Sequence, residues 1–386
     1  NAWECSSVAQ IVRFAATQVP YYEALFRRHG LDSRDITEPA RLAALPMLHK
    51  QAILDQFDTF RPRVFPEGHE VTSYAKSSGT TGPPVTIMQN QQTANLFAML
   101  KQRELRWFRF NPERQYAAIR WPTDLPAKST EEASEEDITH QLPSWPYLGR
   151  YFETGPYIAY SLANSIDKQK QWLDTHRPEY LVSYAPALEH LAFVFEDTDP
   201  PDYLRGVESI SMQLTPDMER RITRTMGVPV HQNYGLNEIG MVASMCPVGK
   251  RFHVHTEHCL VEIVDKDGKP CAPGQLGRIL VTTMNNTAMP LIRYDTDDLA
   301  VPLDGPCPCG RTLPSFGEIR GRYRHYVSLP EGLLEYAQFI RQVLERTPHE
   351  LMCGLRQFQI HLSRENIFEL RLVTVEPLTE ILTSHI

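Results

Sequence analysis

No apolar run in this chain of 386 residues is long enough to cross a bilayer, so hydropathy gives no transmembrane helix. The first residues, Asn1-Ala2-Trp3-Glu4-Cys5, lack the basic-then-apolar order of a secretory signal. No basic stripe interleaved with aromatics stands out and the formal net charge is −8, which argues against a nucleic-acid surface. No internal repeat is found. An initiating methionine is also missing, and Thr383-Ser384-His385-Ile386 follow what reads as an unfinished element, so both ends are expected to be cut. The cysteines number seven, an odd count, and are spread widely, which makes a disulfide scaffold unexpected and a cytoplasmic setting the best fit.

What is present is ordinary for a soluble globular protein: 42% hydrophobic and 22% charged residues, in a chain long enough for two or three compact units. Apolar positions at Val8, Ile11, Val12, Phe14 and Ala15, then Leu25, predict two short helices with a joint at Val19-Pro20. Helices are expected near 50–57 and over 91–108, and a strand over 114–121. The acidic stretch 131–137 reads as a solvated loop. From about 157 onward helices and strands alternate, with strands at 179–184, 207–213 and 228–233 and helices at 165–176, 186–195 and 215–226. That order implies a largely parallel sheet covered by helices. Past residue 250 short β-branched strands at 259–264, 277–283 and 299–301 are separated by Asp-Gly and Pro-Gly turns, and 317–322 reads as a joint. Beyond it a helix near 335–346, strands at 357–362 and 368–375 and a helix after Pro377 are expected. The fold class is thus α/β: a large body of largely parallel sheet and helices (1–240), a small β-rich subdomain (241–320), and a hinge with a partial α+β terminal domain (321–386).

The densest chemistry lies in Ser77-Ser78-Gly79-Thr80-Thr81-Gly82-Pro83-Pro84. Hydroxyls and glycines crowd together between two expected strands, which suits phosphate binding through backbone N–H groups and side-chain hydroxyls. It is not a Walker A loop, for it has neither the Gly-Lys-Ser/Thr ending nor a helix after it. An ordinary Ser/Thr/Gly turn is the competing reading. Cys307-Pro308-Cys309, with Cys246 and His253 upstream, could complete a tetrahedral zinc site; spacing alone leaves that even with buried apolar thiols.

Four ordered segments resemble the adenylate-forming (ANL) superfamily, most closely its phenylacetate-CoA ligase-like branch. They are the 77–84 loop, Asn233-Tyr234-Gly235-Leu236-Asn237-Glu238-Ile239-Gly240, Arg293-Tyr294-Asp295-Thr296-Asp297-Asp298 and Gly321-Arg322. Val19-Pro20-Tyr21-Tyr22, Gly30-Leu31-Asp32, Leu45-Pro46 and Cys307-Pro308-Cys309-Gly310-Arg311 are similar to that branch in particular, and the likeness covers roughly 8–330. The resemblance implies an ATP-dependent ligase that forms an acyl- or aryl-adenylate and passes the acyl group to a thiol, of coenzyme A or of a carrier protein's phosphopantetheine. An amine acceptor giving an amide, and a degenerate nucleotide-binding or scaffold protein, are the alternatives.

By the same resemblance Ser77, Ser78, Gly79, Thr80, Thr81 and Gly82 hold the phosphates, and Glu238 supplies a hard oxygen to Mg2+. Asp298 takes the ribose hydroxyls, Tyr234 faces adenine beside Asn233, Gly235 and Asn237, and Arg322 sits near ribose or phosphate. Thr80, Glu238 and Arg322 are the catalytic candidates. The acid pocket is expected from Tyr184, Ala185, Pro186, Met212, Gln213 and Tyr234, whose side chains suggest a flat or medium-sized apolar acid. Some members of the branch hold a structural zinc, and Cys246, His253, Cys307 and Cys309 fall where its ligands would lie, with His255, His258 and Cys259 in reserve. Departures are Asn237 in place of threonine, Ser211-Met212-Gln213 in place of Gly-Ala-Glu, Tyr323-Arg324-His325 where acidic residues are common, and no segment like the closing catalytic lysine. Without that lysine the adenylation half-reaction would be impaired, whereas thioester formation could survive. The partners expected are a carboxylic acid and the thiol acceptor, with no nucleic acid and no membrane, and a homodimer is compatible with all of this.

Overall fold

The structure is a computed structural model that describes residues 2–77, 83–125, 138–196, 198–322, 326–329, 332–335, 355–364 and 367–374. The expectations for the loop tip Ser78–Gly82, the acidic stretch 131–137, Tyr323-Arg324-His325 and the helices near 335–346 and after Pro377 lie outside the described residues. The chain forms two compact units, Asn1–Arg320 and Gly321–Ile386.

The first unit begins with α1 (Ala2–Gln18) and α2 (Pro20–His29). Pro20 opens α2, where its missing N–H costs nothing, and Gly30 closes it at φ +61°, a left-handed C-cap that glycine adopts without strain. A short α3 (Lys50–Gln56) follows. β1 (Val71–Lys76) and β2 (Thr86–Asn90) make an antiparallel pair flanking the hydroxyl-rich loop. Asn90 then caps α4 (Gln91–Trp107) by accepting the Thr93 N–H at 3.0 Å.

A strand-helix alternation follows: β3 (Tyr116–Arg120), β4 (His140–Leu142), β5 (Tyr157–Ser161), α5 (Ile166–His176), β6 (Tyr180–Tyr184), α6 (Ala185–Phe195), β7 (Gly206–Ile210) and α7 (Pro216–Met226). After it come β8 (Val230–Leu236), β9 (Gly240–Met245), β10 (Phe252–Val254), β11 (Cys259–Val264), β12 (Gly277–Thr283), β13 (Tyr294–Pro302) and β14 (Ser315–Arg322). One twelve-stranded sheet takes them in the order β11-β12-β13-β14-β10-β9-β8-β7-β6-β3-β5-β4. Pairing is parallel along β5-β3-β6-β7-β8 and antiparallel where β8 meets β9.

Two hydrophobic clusters sandwich the parallel strands. Ala117, Ile119, Leu181 and Val207 pack one face against Trp172, Leu188, Leu191 and Ile222 of α5, α6 and α7. Tyr116, Ala118, Tyr180 and Val182 pack the other against Leu105, Phe108, Trp145 and Leu148. A third cluster joins α1 and α2 to the antiparallel strands. Each fully buried Leu or Ile contributes about 2–3 kcal/mol by leaving water. Among the described residues no helix is long and apolar enough to cross a membrane. The second unit shows two antiparallel hairpins, β15 (Tyr326–Leu329) with β16 (Gly332–Glu335), and β17 (Leu355–Arg364) with β18 (Ile367–Thr374).

The segment read as a joint at 317–322 is strand up to Arg322, with Phe252 paired to Phe316. Its glycine reads as a break, yet a Cβ at Gly317 would come within 3.2 Å of the Val301 carbonyl, so close strand approach is what requires it.

Arg293 shows how the antiparallel half is held. Its side chain is 2% exposed and donates to the carbonyls of Leu45 and Gly268, at 2.5 and 2.7 Å, and to Glu262 at 3.2 Å. Truncating one partner of such a buried group strands the rest, so Arg293→Ala is expected to cost about 3–5 kcal/mol in urea unfolding. Burial raises the proton affinity of the nearby Asp295, but the His49 hydrogen bond at 3.0 Å and the Arg278 charge more than offset it, leaving its pKa below the usual range. A depressed carboxylate stabilises fully above its unfolded pKa near about 4 and loses that contribution as pH falls through the folded value. Asp295→Asn should therefore flatten the acid side of a stability-versus-pH curve.

Candidate functional site

β8 changes partner type along its length. Val230–Gln232 pair in parallel with β7, whereas Asn233–Leu236 pair with β9 in a hairpin turning at Asn237-Glu238. Gly235 is needed there, because a Cβ would meet the Gly240 carbonyl at 2.8 Å. From this turn the Asn237 amide donates to the Lys76 carbonyl at 3.0 Å, tying it to the last residue of β1. The next residue, Ser77, closes the neck of the hydroxyl-rich loop twice: its N–H donates to the Val85 carbonyl and its Oγ accepts the Val85 N–H, each at 2.9 Å. Two of the four motif segments are thus joined at their roots. Ser78, Gly79, Thr80, Thr81 and Gly82 lie outside the described residues.

The third segment comes in from β13. Tyr294 donates its hydroxyl to Glu238 Oε1 at 3.4 Å, and Tyr234 donates to Asp298 Oδ2 at 2.8 Å and lies 3.3 Å from Thr296 Oγ1. Burial, then the neighbouring carboxylates, raise both phenol pKa values far up, so both stay protonated donors. Glu238 is 9% exposed, a nearly buried carboxylate one residue from the Asn237 tie. Arg322 belongs to the second compact unit, directly after Gly321, which sits at φ +85°.

Asn233 turns the other way. Its amide donates to Glu208 at 2.9 Å and Glu104 at 3.3 Å, inside a buried network with Lys101, Tyr116 and Ser244. Burial, then Glu208, raises the Glu104 pKa, whereas at Glu208 burial is more than offset by Lys101, the Tyr116 hydroxyl and Arg120 together, which lower its pKa. The signal for this network was faint, since Lys101 and Glu104 three apart read as a solvated helical pair.

The expected acid-pocket residues line up at the carboxyl ends of parallel strands, where open α/β sheets bind ligands. Tyr184 ends β6 opposite Ile210 of β7, and Ala185 and Pro186 start α6. Ser211 follows at φ +61° with Met212 N–H donating to the Ile210 carbonyl at 2.7 Å, a strained γ-turn closure. Met212 is 53% exposed, and Gln213 donates to the Ile319 carbonyl at 3.3 Å. Sequence reading missed Arg120, which ends the neighbouring β3; a lone basic residue closing an apolar strand was the available signal.

Cys246, His253, Cys307 and Cys309 converge, with ligand atoms all within 4.8 Å of one another. The Cys246 and Cys307 sulfurs are 3.8 Å apart, and Cys309 Sγ is 3.3 Å from His253 Nε2. Tetrahedral zinc with Zn–S near 2.3 Å sets ligand atoms roughly 3.5–3.8 Å apart, so the donor set fits that ion. Gly249 N–H donates to Cys246 Sγ, Arg311 N–H to Cys309 Sγ, and His253 Nδ1 lies 3.3 Å from the Leu313 carbonyl, the outer contacts that orient ligands. Burial opposes ionisation of Cys309, but the Arg311 N–H and the neighbouring thiols bring its pKa down to about 6. The reserve residues are committed elsewhere: His255 to Ser244 and Arg103, His258 to the Ile239 carbonyl, and Cys259 towards the Val242 carbonyl.

Residues 32–289 match the family described as AMP-binding enzyme. The chain is 25% identical to a phenylacetate-coenzyme A ligase of Thermus thermophilus over 95% of its own length and 80% of that protein. It is 26% identical to one of Escherichia coli over 81% of its length and 68% of that protein. Among solved structures it resembles 2-hydroxyisobutyryl-CoA ligase in complex with 2-HIB-AMP, with TM-score 0.74 and 18% identity over 96% of this chain and 77% of that one. It also resembles an anthranilate CoA ligase in complex with anthranoyl-AMP, with TM-score 0.58 and 13% identity over 82% and 60% of the two chains. At those identities the structural likeness establishes the fold. The family match, covering well over half of the chain and enclosing both the loop neck and the Glu238 turn, completes the case: the protein belongs to the AMP-binding enzymes of the adenylate-forming superfamily, on their phenylacetate-CoA ligase-like branch.

Proposed function

We propose that this protein activates a carboxylic acid with ATP, forming an acyl- or aryl-adenylate and pyrophosphate, and then passes the acyl group to the thiol of coenzyme A. The observation that carries the reading is the Asn237-to-Lys76 hydrogen bond, which sets the neck of the 77–84 loop beside the Glu238 turn. In this reading the backbone and hydroxyls of Ser77, Ser78, Gly79, Thr80, Thr81 and Gly82 receive the phosphates. Tyr234, Gly235 and Asn237 shape the adenine side and Asp298 takes the ribose hydroxyls. Asn233 acts through the strand that carries Tyr234, because its amide is committed to Glu104 and Glu208.

Glu238 fits a hard cation: its carboxylate is nearly buried and is touched by one hydroxyl, that of Tyr294, among the described side chains. A magnesium ion bound there would neutralise charge on the transferring phosphate. The chain's own part is to fix that carboxylate beside the loop neck. Cys246, His253, Cys307 and Cys309 would hold a structural zinc, whose four protein ligands leave no open position and pin the 304–313 turn to β9 and β10. The setting proposed is cytoplasmic.

The acyl acceptor is what distinguishes this activity from its relatives in chemistry. A thiol on a carrier protein, or an amine, would use the same adenylate, and product analysis with each acceptor separates them. Pyrophosphate exchange by the full-length protein across a library of carboxylic acids tests the adenylation step, and failure of every acid would end the proposal. Glu238→Gln should lower the exchange rate at least about 100-fold, the scale of losing a charge-stabilising group. Asp298→Ala should instead raise KM for ATP about 10-fold or more, the expected cost of losing hydrogen bonds to a charged group. Elemental analysis should return one zinc per chain, and Cys307→Ser with Cys309→Ser should abolish it and lower the melting temperature.

A further inference from the structure

Arg120 ends β3 at the carboxyl edge of the parallel sheet, one strand over from Tyr184, and lies on the same sheet face as Tyr116 and Ala118. Its guanidinium is largely buried, and among the described residues it makes no hydrogen bond or ion pair; Nε is fully buried and without an acceptor. A buried guanidinium without an acceptor is costly, so its lack of one among the described residues calls for an explanation. Glu208, the carboxylate that acts on it through space, already receives Lys101, Tyr116 and Asn233. Asp124 Oδ2 already accepts a hydrogen bond from the Tyr184 hydroxyl. Among the described residues the phenols of Tyr157, Tyr116, Tyr184 and Tyr147 act on Arg120 through space.

Tyr147 reaches that position at a cost. It sits at φ +65° and ψ −42°, and Leu148 N–H donates to the Pro146 carbonyl at 2.7 Å, closing a γ-turn that bulky residues seldom adopt. Its ring meets Phe97 edge-on at 5.1 Å and is 63% exposed. Strain of this kind persists where the surrounding structure has a use for it. A buried guanidinium at the strand ends where the acid is expected, its Nε without an acceptor among the described residues, offers donors to a carboxylate.

We propose that Arg120 is a specificity-determining residue that pairs with a second carboxylate on the acid, so that the preferred substrates are dicarboxylic acids activated at one end. The proposal rests on the adenylation reading above and names the substrate class of that site. An apolar monocarboxylic acid would leave the guanidinium unpaired in a dehydrated crevice, and sites that lose a buried partner in this way discriminate strongly.

Matched pairs that differ only in the second carboxylate test it: adipate with hexanoate, succinate with butyrate, and 4-carboxyphenylacetate with phenylacetate, in pyrophosphate exchange by the full-length protein. At least one dicarboxylate should exceed its partner in kcat/KM by about 10- to 100-fold, the range of a charge-assisted bidentate contact. Arg120→Leu should lower that ratio towards one, and Arg120→Lys should keep part of it. No preference in any pair, or an equal loss of both members in Arg120→Leu, would overturn the proposal while leaving adenylation standing. If no acid drives exchange, the adenylation reading falls and thermal shift reads the pairing alone. Dicarboxylates should then raise the melting temperature of the unaltered protein and not of Arg120→Leu, and equal shifts in both would overturn it.

Discussion

The arrangement depends on β8 joining the parallel and antiparallel halves of one sheet. Its first residues pair in parallel with β7 and its last residues pair antiparallel with β9. A strand that changes partner type must turn its side chains to different surroundings within a few residues. Asn233 marks the change, with its amide held by the carboxylates of Glu104 and Glu208 beneath α4. Beyond it the strand is free to present Tyr234, Gly235 and the Glu238 turn towards β1 and β13. Buried polar contacts of this kind are strong when fully satisfied and costly when broken, and here they fix the register of the segment that carries the chemistry.

Much of this was legible in the residues, because the parallel body obeys local rules. Proline at the start of α2, Asn90 at the cap of α4 and the short runs of β3, β6 and β7, buried on both faces, are short-range signals. The antiparallel half was harder. β13 runs from Tyr294 to Pro302, yet its first half, Tyr294-Asp295-Thr296-Asp297-Asp298, has the composition of a loop. Tertiary partners override that tendency: Asp295 is bonded by His49 and Arg278, and Thr296 donates to the Ile279 carbonyl. β14 was hidden for a related reason, since its Gly317 answers to the neighbouring Val301 backbone.

The candidate site divides in the same way. Residues that carry a pattern, the Ser77 loop, Glu238 and the Cys307-Pro308-Cys309 turn, were visible because their chemistry needs a fixed spacing. Arg120 carries no pattern; its meaning comes from where the topology places it and from its Nε having no acceptor among the described residues. The Lys101, Glu104 and Glu208 network is equally silent in one dimension, for its members lie on α4 and β7, about a hundred residues apart.

Trp107, near the end of α4, carries a further consequence. The guanidinium of Arg311 lies 4.2 Å from its ring centroid and that of Arg103 at 5.5 Å, with the His253 imidazole 5.9 Å away edge-on. Cations over an indole face perturb its electrons, and this indole touches both the cysteine turn and the helix that anchors the buried carboxylates. The molecule therefore contains its own optical gauge: a shift of α4 against the cysteine turn alters the light emitted by one tryptophan, and a quiet baseline in that emission reports that the two have stayed together.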